Sequence, residues 1–290
     1  LLACFPLPGE RWRLIASSLD TEDNLAPPTL AEFQQIVDER TQRESRLDDA
    51  AWLARFRIHC RQVKHYRSGN VFVAGDAAHL HSPVGGQGLN TGIQDAHNLG
   101  WKLDLVSRGK APPELLDSYH LERHAVGVAL LRGTDFATRV ATIKHPVVRA
   151  VRNSMSRFLS SLEVVQQRIT RNVAELTLSY AGSPIVAEHR SSMFRPRFGE
   201  DESQERPTVS AWWAFDSAAG AGQRAPDGLL LRLGTGESVR LASVIDGKRH
   251  TLLLFDGRAP TPEGYARLAG VARAVERSWA DLIDVHVVVP

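Results

Sequence analysis

The chain has 290 residues, of which 43% are hydrophobic and 23% are charged, and its formal net charge is +2. This is the composition of a globular protein of about two domains, and it excludes a disordered or low-complexity chain. Because the net charge is small and no basic run is long, nothing indicates nucleic acid or an anionic membrane as a partner. No apolar run reaches the length of a membrane span, so no membrane contact is expected.

The cysteines and the chain ends give two further expectations. Cys4 and Cys60 are the only cysteines and neither belongs to a CxxC motif, so a reducing, cytoplasmic location is expected. No signal peptide is visible. The chain starts and stops inside strand-like runs, and we expect it to be part of a longer protein.

The first part of the chain predicts a hairpin, a helix and short strands. Residues 1–19 have the pattern of two strands joined by a Pro-Gly turn. A helix is predicted over Leu30–Arg43, because Thr29 is suited to be its N-cap and Glu32 follows closely. Residues 56–63 are a candidate strand, and the apolar run Val71–Ala74 predicts a short buried one.

Three helices are predicted after residue 88. The first is predicted to stop before Gly109. Its apolar residues lie at helical spacing on one face, at Leu89, Ile93, Ala96, Leu99, Leu103 and Val106. The second starts near Pro113 and runs to about Lys144. The third has the most regular pattern, formed by Val151, Met155, Phe158, Leu162, Val165, Ile169, Val173, Leu176 and Tyr180. For this third helix, packing within the chain is favoured over a coiled-coil partner, because its polar face lacks ordered charge pairs.

The C-terminal part predicts a connection followed by a small module. Residues 183–228 are polar and contain Pro and Gly, which is typical of a domain boundary. Strands are predicted over Leu229–Leu233, Thr251–Asp256 and Val285–Val289, with a helix over Pro262–Trp279. The order β-β-α-β indicates an α/β module.

The stretch "AGDAAHLHSPVGGQGLNT" (Ala74–Thr91) carries the functional signal. It lies between a predicted strand and a predicted helix, which is where open α/β sheets bind ligands. Asp76 can accept hydrogen bonds from sugar-like hydroxyls, and the glycines Gly85, Gly86 and Gly88 allow close approach of a flat ligand. The following helix would direct its N-terminus, with about half a positive charge, at that ligand.

A metal site is the weaker interpretation of this stretch. His79 and His81 are two residues apart, which places them on opposite sides of an extended loop, and only Asp76 or His97 lies near enough in sequence to be a third ligand. We therefore expect no metal, and we expect each histidine to be hydrogen-bonded or packed. The alternative for Asp76 is a carboxylate that caps a helix or turn.

The longer segment "GNVFVAGDAAHLHSPVGGQGLNTGIQDAHNLGWKL" (Gly69–Leu103) resembles the second FAD-binding motif of the class A flavoprotein aromatic monooxygenases, of the para-hydroxybenzoate hydroxylase and phenol hydroxylase type. "LLDSYHLER" (Leu115–Arg123) resembles the next helix of that family, and "FPLPGERWRL" (Phe5–Leu14) resembles its substrate-domain sheet. "GQRAPDGLL" (Gly222–Leu230) resembles the entry to the thioredoxin-like domain of the phenol hydroxylase branch.

The resemblance implies an α/β (α+β) fold: a partial FAD/NAD(P)-binding Rossmann-like domain, part of a substrate-domain β-sheet and a C-terminal thioredoxin-like module. The corresponding boundaries are 1–60 for the end of the substrate sheet, 61–182 for the FAD-binding part, 183–228 for a linker and 229–290 for the thioredoxin-like module. This chain lacks the family's GxGxxG and DG motifs, which we expect upstream of Leu1. The absence of CxxC argues against disulfide exchange by the last module.

By the same resemblance, the FAD site would comprise Gly75, Asp76, Pro83, Gly85, Gly86, Gln87, Gly88, Leu89 and Asn90. Asp76 would bind the ribityl hydroxyls, with Gly75 permitting its approach, and Pro83 would lie near the isoalloxazine ring. Gly85–Asn90 would surround the pyrimidine edge, with the N–H groups of Leu89 and Asn90 facing the flavin O2 atom. Asp95 and Asn98 are expected to hold the helix in place, or else to support the site indirectly.

The activity implied is hydroxylation of a phenol-like or polyketide-like aromatic ring with NADPH or NADH and O2, through a flavin C4a-hydroperoxide. The protein would orient the reactants and exclude water, and the chain identifies no catalytic acid or base. A homodimer is a further expectation. Two alternatives stay open at this point: a flavoprotein of the same fold that does not hydroxylate, such as a halogenase or reductase, and a non-catalytic fragment or binding module.

Overall fold

A computed structural model describes residues 2–16, 26–41, 45–83, 86–141, 143, 145–188, 219–245, 247–256 and 261–289. The chain divides into two compact units, Leu1–Arg224 and Ala225–Pro290. Both mix helices with strands, as the predicted α/β class requires. Within the described ranges, no helix is long and apolar enough to cross a membrane.

The first unit opens with the predicted hairpin and helix. Strands β1 (Leu2–Leu7) and β2 (Arg11–Ala16) pair antiparallel, and the turn between them contains Gly9 with φ +76°. Helix α1 (Leu30–Arg40) begins at a capping box, in which Thr29 Oγ1 accepts from the Glu32 N–H and Glu32 Oε2 accepts from the Thr29 N–H. The predicted cap is confirmed. The helix ends at Arg40, before the predicted end, and Thr41 is already extended.

Short antiparallel ribbons replace the predicted longer strands. Strand β3 (Arg61–Gln62) pairs with β6 (His79–Leu80), and β4 (Arg67–Ser68) pairs with β5 (Val71–Phe72). The candidate strand over 56–63 is therefore only two residues long. The prediction of a buried strand at Val71–Ala74 was wrong, since Val71 is 67% exposed. The strand β5 has one two-residue partner and no parallel neighbour among the described residues, so only Phe72 and Val73 reach the core.

Two long helices pack next to these ribbons. Helix α2 (Gly88–Ser107) ends as predicted before Gly109, which has φ +65°. The Pro-started segment is first a 3-10 turn (Pro113–Leu116) and then helix α3 (Asp117–Ala141). A small core joins α3 to the ribbons: Tyr66, Ala78 and Tyr119 are fully buried, and Tyr119 Oη donates to Val73 O at 2.7 Å.

The buried face of α2 is polar, contrary to the apolar stripe used to predict the helix. Leu89 and Ile93 on that stripe are 77% and 58% exposed. The residues that α2 buries are Thr91, Asp95, Asn98 and Lys102. For Asp95, Asn98 and Lys102, side chains of α3 supply the ion-pair and hydrogen-bond partners that make this burial stable.

The third predicted helix is two helices. Helix α4 (Pro146–Ser160) and helix α5 (Glu163–Val173) are separated at Ser161–Leu162, where Ser161 Oγ donates to the Phe158 carbonyl and so caps the end of α4. The expectation that the apolar stripe packs within the chain was wrong for the described residues, since Val151, Met155, Phe158 and Ile169 are all more than half exposed.

The second unit has the predicted order of its main elements. Strands β7 (Leu229–Leu231) and β8 (Ser238–Arg240) form an antiparallel pair, followed by a single helical turn, α6 (Leu241–Val244). Strand β9 (His250–Phe255), helix α7 (Pro262–Trp279) and strand β10 (Ile283–Val288) then form a β-α-β unit in which the two strands are parallel. Strand β8 and the turn α6 are additions to the predicted elements.

Candidate functional site

A single turn of 3-10 helix, Gly75–Ala77, presents the carboxylate singled out in the sequence. Gly75 has φ +57°, a conformation that favours glycine. The turn lies against the start of α2, since a Cβ added to Gly92 would be 3.3 Å from Gly75 Cα. Asp76 is exposed and has no hydrogen-bond partner among the described residues. Its carboxylate is therefore accessible to a ligand.

The loop after the turn leads to an open helix N-terminus. Pro83 and Gly86 are exposed, and Gly86 has φ +66° and donates its N–H to Pro83 O at 3.0 Å. Gly85 lies outside the described residues. Gln87 is the N-cap residue of α2 and provides no side-chain cap hydrogen bond.

The first turn of α2 is exposed at Leu89 and Asn90. Thr91 N–H donates to Gln87 O, so the N–H groups of Gly88, Leu89 and Asn90 precede the first intrahelical bond. Leu89 is 77% exposed and Asn90 is also exposed. The positive end of the helix therefore lies at an exposed turn that is close to Asp76, since Gly92 of α2 packs against Gly75.

The two histidines of the loop are held within the protein. His79 is buried, and because a carboxylate only accepts, its Nε2–H donates to Asp95 Oδ2 at 2.7 Å. Its Nδ1 has no partner within the described part of the chain. His81 Nδ1–H donates to the Ser82 carbonyl at 2.8 Å, and a Cβ on Gly88 would lie 3.1 Å from His81 Nε2. Glycine at 88 thus makes room for His81.

A buried ion pair lies directly behind the turn. Asp95 and Arg123 side chains are 0% exposed, and Arg123 Nε donates to Asp95 Oδ1 at 2.6 Å. Asp95 Oδ2 also accepts the Gly75 N–H at 3.0 Å. Burial by itself would raise the pKa of Asp95, but the hydrogen bonds from His79 and Arg123 outweigh burial and lower that pKa. Asp95 is therefore a carboxylate that three donors hold in its charged form.

A second buried ion pair joins the same two helices farther from the turn. Lys102 Nζ donates to Glu122 Oε2 at 2.7 Å and to Asn98 Oδ1 at 2.8 Å. Ser183 Oγ donates to Glu122 Oε1 at 2.6 Å. Burial lowers the pKa of Lys102, and the Glu122 carboxylate opposes that effect. Among the described residues, none of these side chains forms a hydrogen bond or ion pair with the Gly75–Ala77 turn, so this pair holds the helices together without touching the candidate site.

The chain after α5 returns to the start of α2. Glu175, at φ +55°, accepts hydrogen bonds from Thr91 Oγ1 and Gln94 Nε2. Arg123 reaches the same region, donating to Tyr180 Oη at 2.9 Å. The structure thus brings α2, α3 and the residues following α5 together behind the turn.

The expectation that Asp95 and Asn98 hold α2 in place agrees with these contacts. Sequence reasoning gave no role to Lys102, Glu122 or Arg123, although they lie within the two motifs quoted above. One signal was present: polar residues recur at helical spacing at 91, 95, 98 and 102. That spacing marks one face of α2 but does not reveal which face is buried.

The chain is similar to known flavoproteins. Residues 3–134 match the family model described as FAD binding domain. Pentachlorophenol 4-monooxygenase of Sphingobium chlorophenolicum is 48% identical over 130 residues, which are 44% of this chain and 24% of that protein. A flavin-dependent monooxygenase of Mycobacteroides abscessus is 34% identical over 257 residues, which are 88% of this chain and 43% of that protein.

The chain is a relative of the class A FAD-dependent aromatic monooxygenases. The predicted family and its FAD cofactor are thereby confirmed. Among solved structures, the anhydrotetracycline hydroxylase OxyS of Streptomyces rimosus is similar with a TM-score of 0.67 and 28% identity, over 99% of this chain and 48% of that one. The chain spans less than half the length of each of these three proteins.

Proposed function

We propose that this chain provides part of the FAD site of a monooxygenase that hydroxylates an aromatic ring with NADPH or NADH and O2. The observation that carries the proposal is the exposed Asp76 carboxylate, on a turn packed against the open N-terminus of α2. The substrate would be phenol-like or polyketide-like, which the names of the pentachlorophenol and anhydrotetracycline enzymes support.

The described residues fit the middle of an FAD molecule. A ribityl chain offers hydroxyl donors to an exposed carboxylate such as Asp76, and Gly75 keeps the turn close to α2. Pro83 and Gly86 are exposed, and the flat ring would lie beside them. The proposed FAD-binding set is Gly75, Asp76, Pro83, Gly85, Gly86, Gln87, Gly88, Leu89 and Asn90, of which Gly85 lies outside the described residues.

Bound FAD supplies the redox chemistry, namely its reduction by NAD(P)H and the activation of O2 for transfer of one oxygen atom. The residues of this chain bind and orient it. The N–H groups of Leu89 and Asn90 would donate to the oxygen at C2 of the flavin, where reduction places negative charge. We assign no acid or base that acts on the substrate.

The other expected features complete the proposal. The β9-α7-β10 unit with parallel strands supports a thioredoxin-like module, and the second unit contains no cysteine that could exchange disulfides. We propose that this module serves packing, including contacts in a homodimer. The exposed, free thiols of Cys4 and Cys60 support a cytoplasmic location.

Gentle purification of the full-length protein tests the activity. We expect a flavin absorbance spectrum, NAD(P)H oxidation stimulated by phenols or aromatic polyketides, and a product that contains one atom of isotopically labelled O2. A protein that carries no flavin, or one that consumes NAD(P)H with every such compound and never forms a labelled product, would contradict the proposal.

Substitution of the exposed carboxylate tests the site. Asp76→Ala should weaken FAD binding roughly 10- to 100-fold, the effect of losing hydrogen bonds to a charged group. Asp104→Ala is the matched control, because Asp104 is also exposed on this unit and pairs with Arg108 at the far end of α2. Equal FAD dissociation constants for the two variants would refute the role of Asp76.

A further inference from the structure

We propose that Asp95 is a positioning residue for FAD, holding the Gly75–Ala77 turn so that Asp76 is presented to the cofactor. This inference rests on the proposed function. It concerns a buried side chain that does not itself reach the exposed surface where FAD would bind.

The first argument is the direct bond between Asp95 and the turn. Asp95 Oδ2 accepts the N–H of Gly75, the residue immediately before Asp76. Gly75 adopts φ +57°, one of the many conformations open to glycine, and the bond helps to hold its N–H in this one. A change in this bond would therefore move the carboxylate of the next residue.

The second argument is that Asp95 is itself rigidly held. His79 and Arg123 each donate to it, at 2.7 and 2.6 Å, and all three side chains are buried. Arg123 also donates to Thr91 O at 3.1 Å, which fixes the guanidinium against α2. The turn is thus connected through one carboxylate to both α2 and α3.

The third argument is the contrast with the Lys102–Glu122 pair. Both pairs are buried charges between α2 and α3, and both involve hydrogen bonds to further side chains. Only the Asp95 pair also bonds to the backbone of the turn. If Asp95 and Glu122 served only to pair with a buried charge, removing either carboxylate would weaken FAD binding equally.

The chain therefore offers a matched pair of isosteric variants, Asp95→Asn and Glu122→Gln. In Asp95→Asn, one amide oxygen must serve three donors, so at least one hydrogen bond is lost. We expect both variants to lower the melting temperature of the full-length protein. Only Asp95→Asn should raise the FAD dissociation constant, by roughly tenfold, and change the visible circular dichroism of the bound flavin.

The rise in melting temperature on adding FAD separates affinity from intrinsic stability. It should be smaller for Asp95→Asn than for wild type and unchanged for Glu122→Gln. Asp95→Glu, which keeps the charge but displaces the carboxylate by one methylene, takes the place of Asp95→Asn if that variant does not fold. An unchanged FAD dissociation constant and dichroism in the Asp95 variant would overturn the inference.

The outcomes also distinguish this inference from the proposed function. If wild type binds FAD and Asp76→Ala weakens binding, but the Asp95 variant behaves like Glu122→Gln, only the positioning role fails. If wild type binds no FAD, the proposed function fails and the positioning role falls with it.

Discussion

The substitution Gly127→Ala in α3 tests the packing that supports the site. An alanine there has a higher helix propensity than glycine, but its Cβ would clash with neighbouring side chains. A Cβ at Gly127 would lie 2.6 Å from both Gln62 Nε2 and Tyr66 Oη. Tyr66 is fully buried in the core and cannot turn away. Gln62 would have to withdraw, and it would lose its hydrogen bonds to Tyr66 Oη and His124 O, each 2.9 Å long.

The magnitudes decide the sign of the effect. Alanine is favoured over glycine inside a helix by about 1 kcal/mol. Against this, overpacking costs about 1–3 kcal/mol, and each lost hydrogen bond costs about 1 kcal/mol. Gly127→Ala should therefore lower the free energy of unfolding by about 2 kcal/mol or more.

Gly133→Ala is the control, because Gly133 lies in the same helix, is exposed, and a Cβ there would meet nothing within 4 Å. It should raise the free energy of unfolding by up to about 1 kcal/mol. Urea unfolding of both variants at fixed pH and FAD concentration measures the difference. If Gly127→Ala is stabilised as much as Gly133→Ala, then Gln62 and Tyr66 do not pack on α3 as described.

Two further variants test the core and the first helix. Burial raises the pKa of Tyr66 to about 12 from 10.0. As the pH rises, the unfolded state therefore loses the Tyr66 proton before the folded state does. The free energy of unfolding should then fall as the pH increases between those two values. This group should contribute a slope of about 1.4 kcal/mol per pH unit to the free energy of unfolding. Urea unfolding of Tyr66→Phe, measured across the same pH range, should lack that contribution. An unaltered slope in the variant would argue against burial of the hydroxyl. Thr29→Ala should destabilise α1 by about 1 kcal/mol through loss of the capping box. The loss should be seen as faster amide hydrogen exchange in the first turn of α1. Unchanged exchange would mean that the cap contributes little.

Most elements could be predicted from the sequence because their signals are local. The Thr29 cap, the Gly109 stop and the Pro262–Trp279 helix each depend on a few neighbouring residues, and the structure has them where the sequence indicated. The functional motif is local in the same sense. Gly75 and Asp76 follow each other along the chain, so the sequence alone placed the candidate carboxylate next to a glycine turn.

Burial depends on residues far apart in the chain, and here local patterns misled. The apolar stripe of α2 correctly indicated a helix but not its buried face, which is the one carrying Asp95 and Lys102. Likewise, the regular stripe after residue 150 did not show that the helix would be interrupted at Ser161–Leu162 or that Phe158 would be exposed.

The sequence by itself determined the family motif, the carboxylate at position 76 and the helix that begins after the glycine loop. Only the tertiary structure decided which side chains hold the turn and the helix in place. Arg123 lies 28 residues beyond Asp95, and their bond forms only once α3 has folded back along α2. A buried charge is stable only when such a partner meets it, and no local pattern in the sequence specifies which partner that will be.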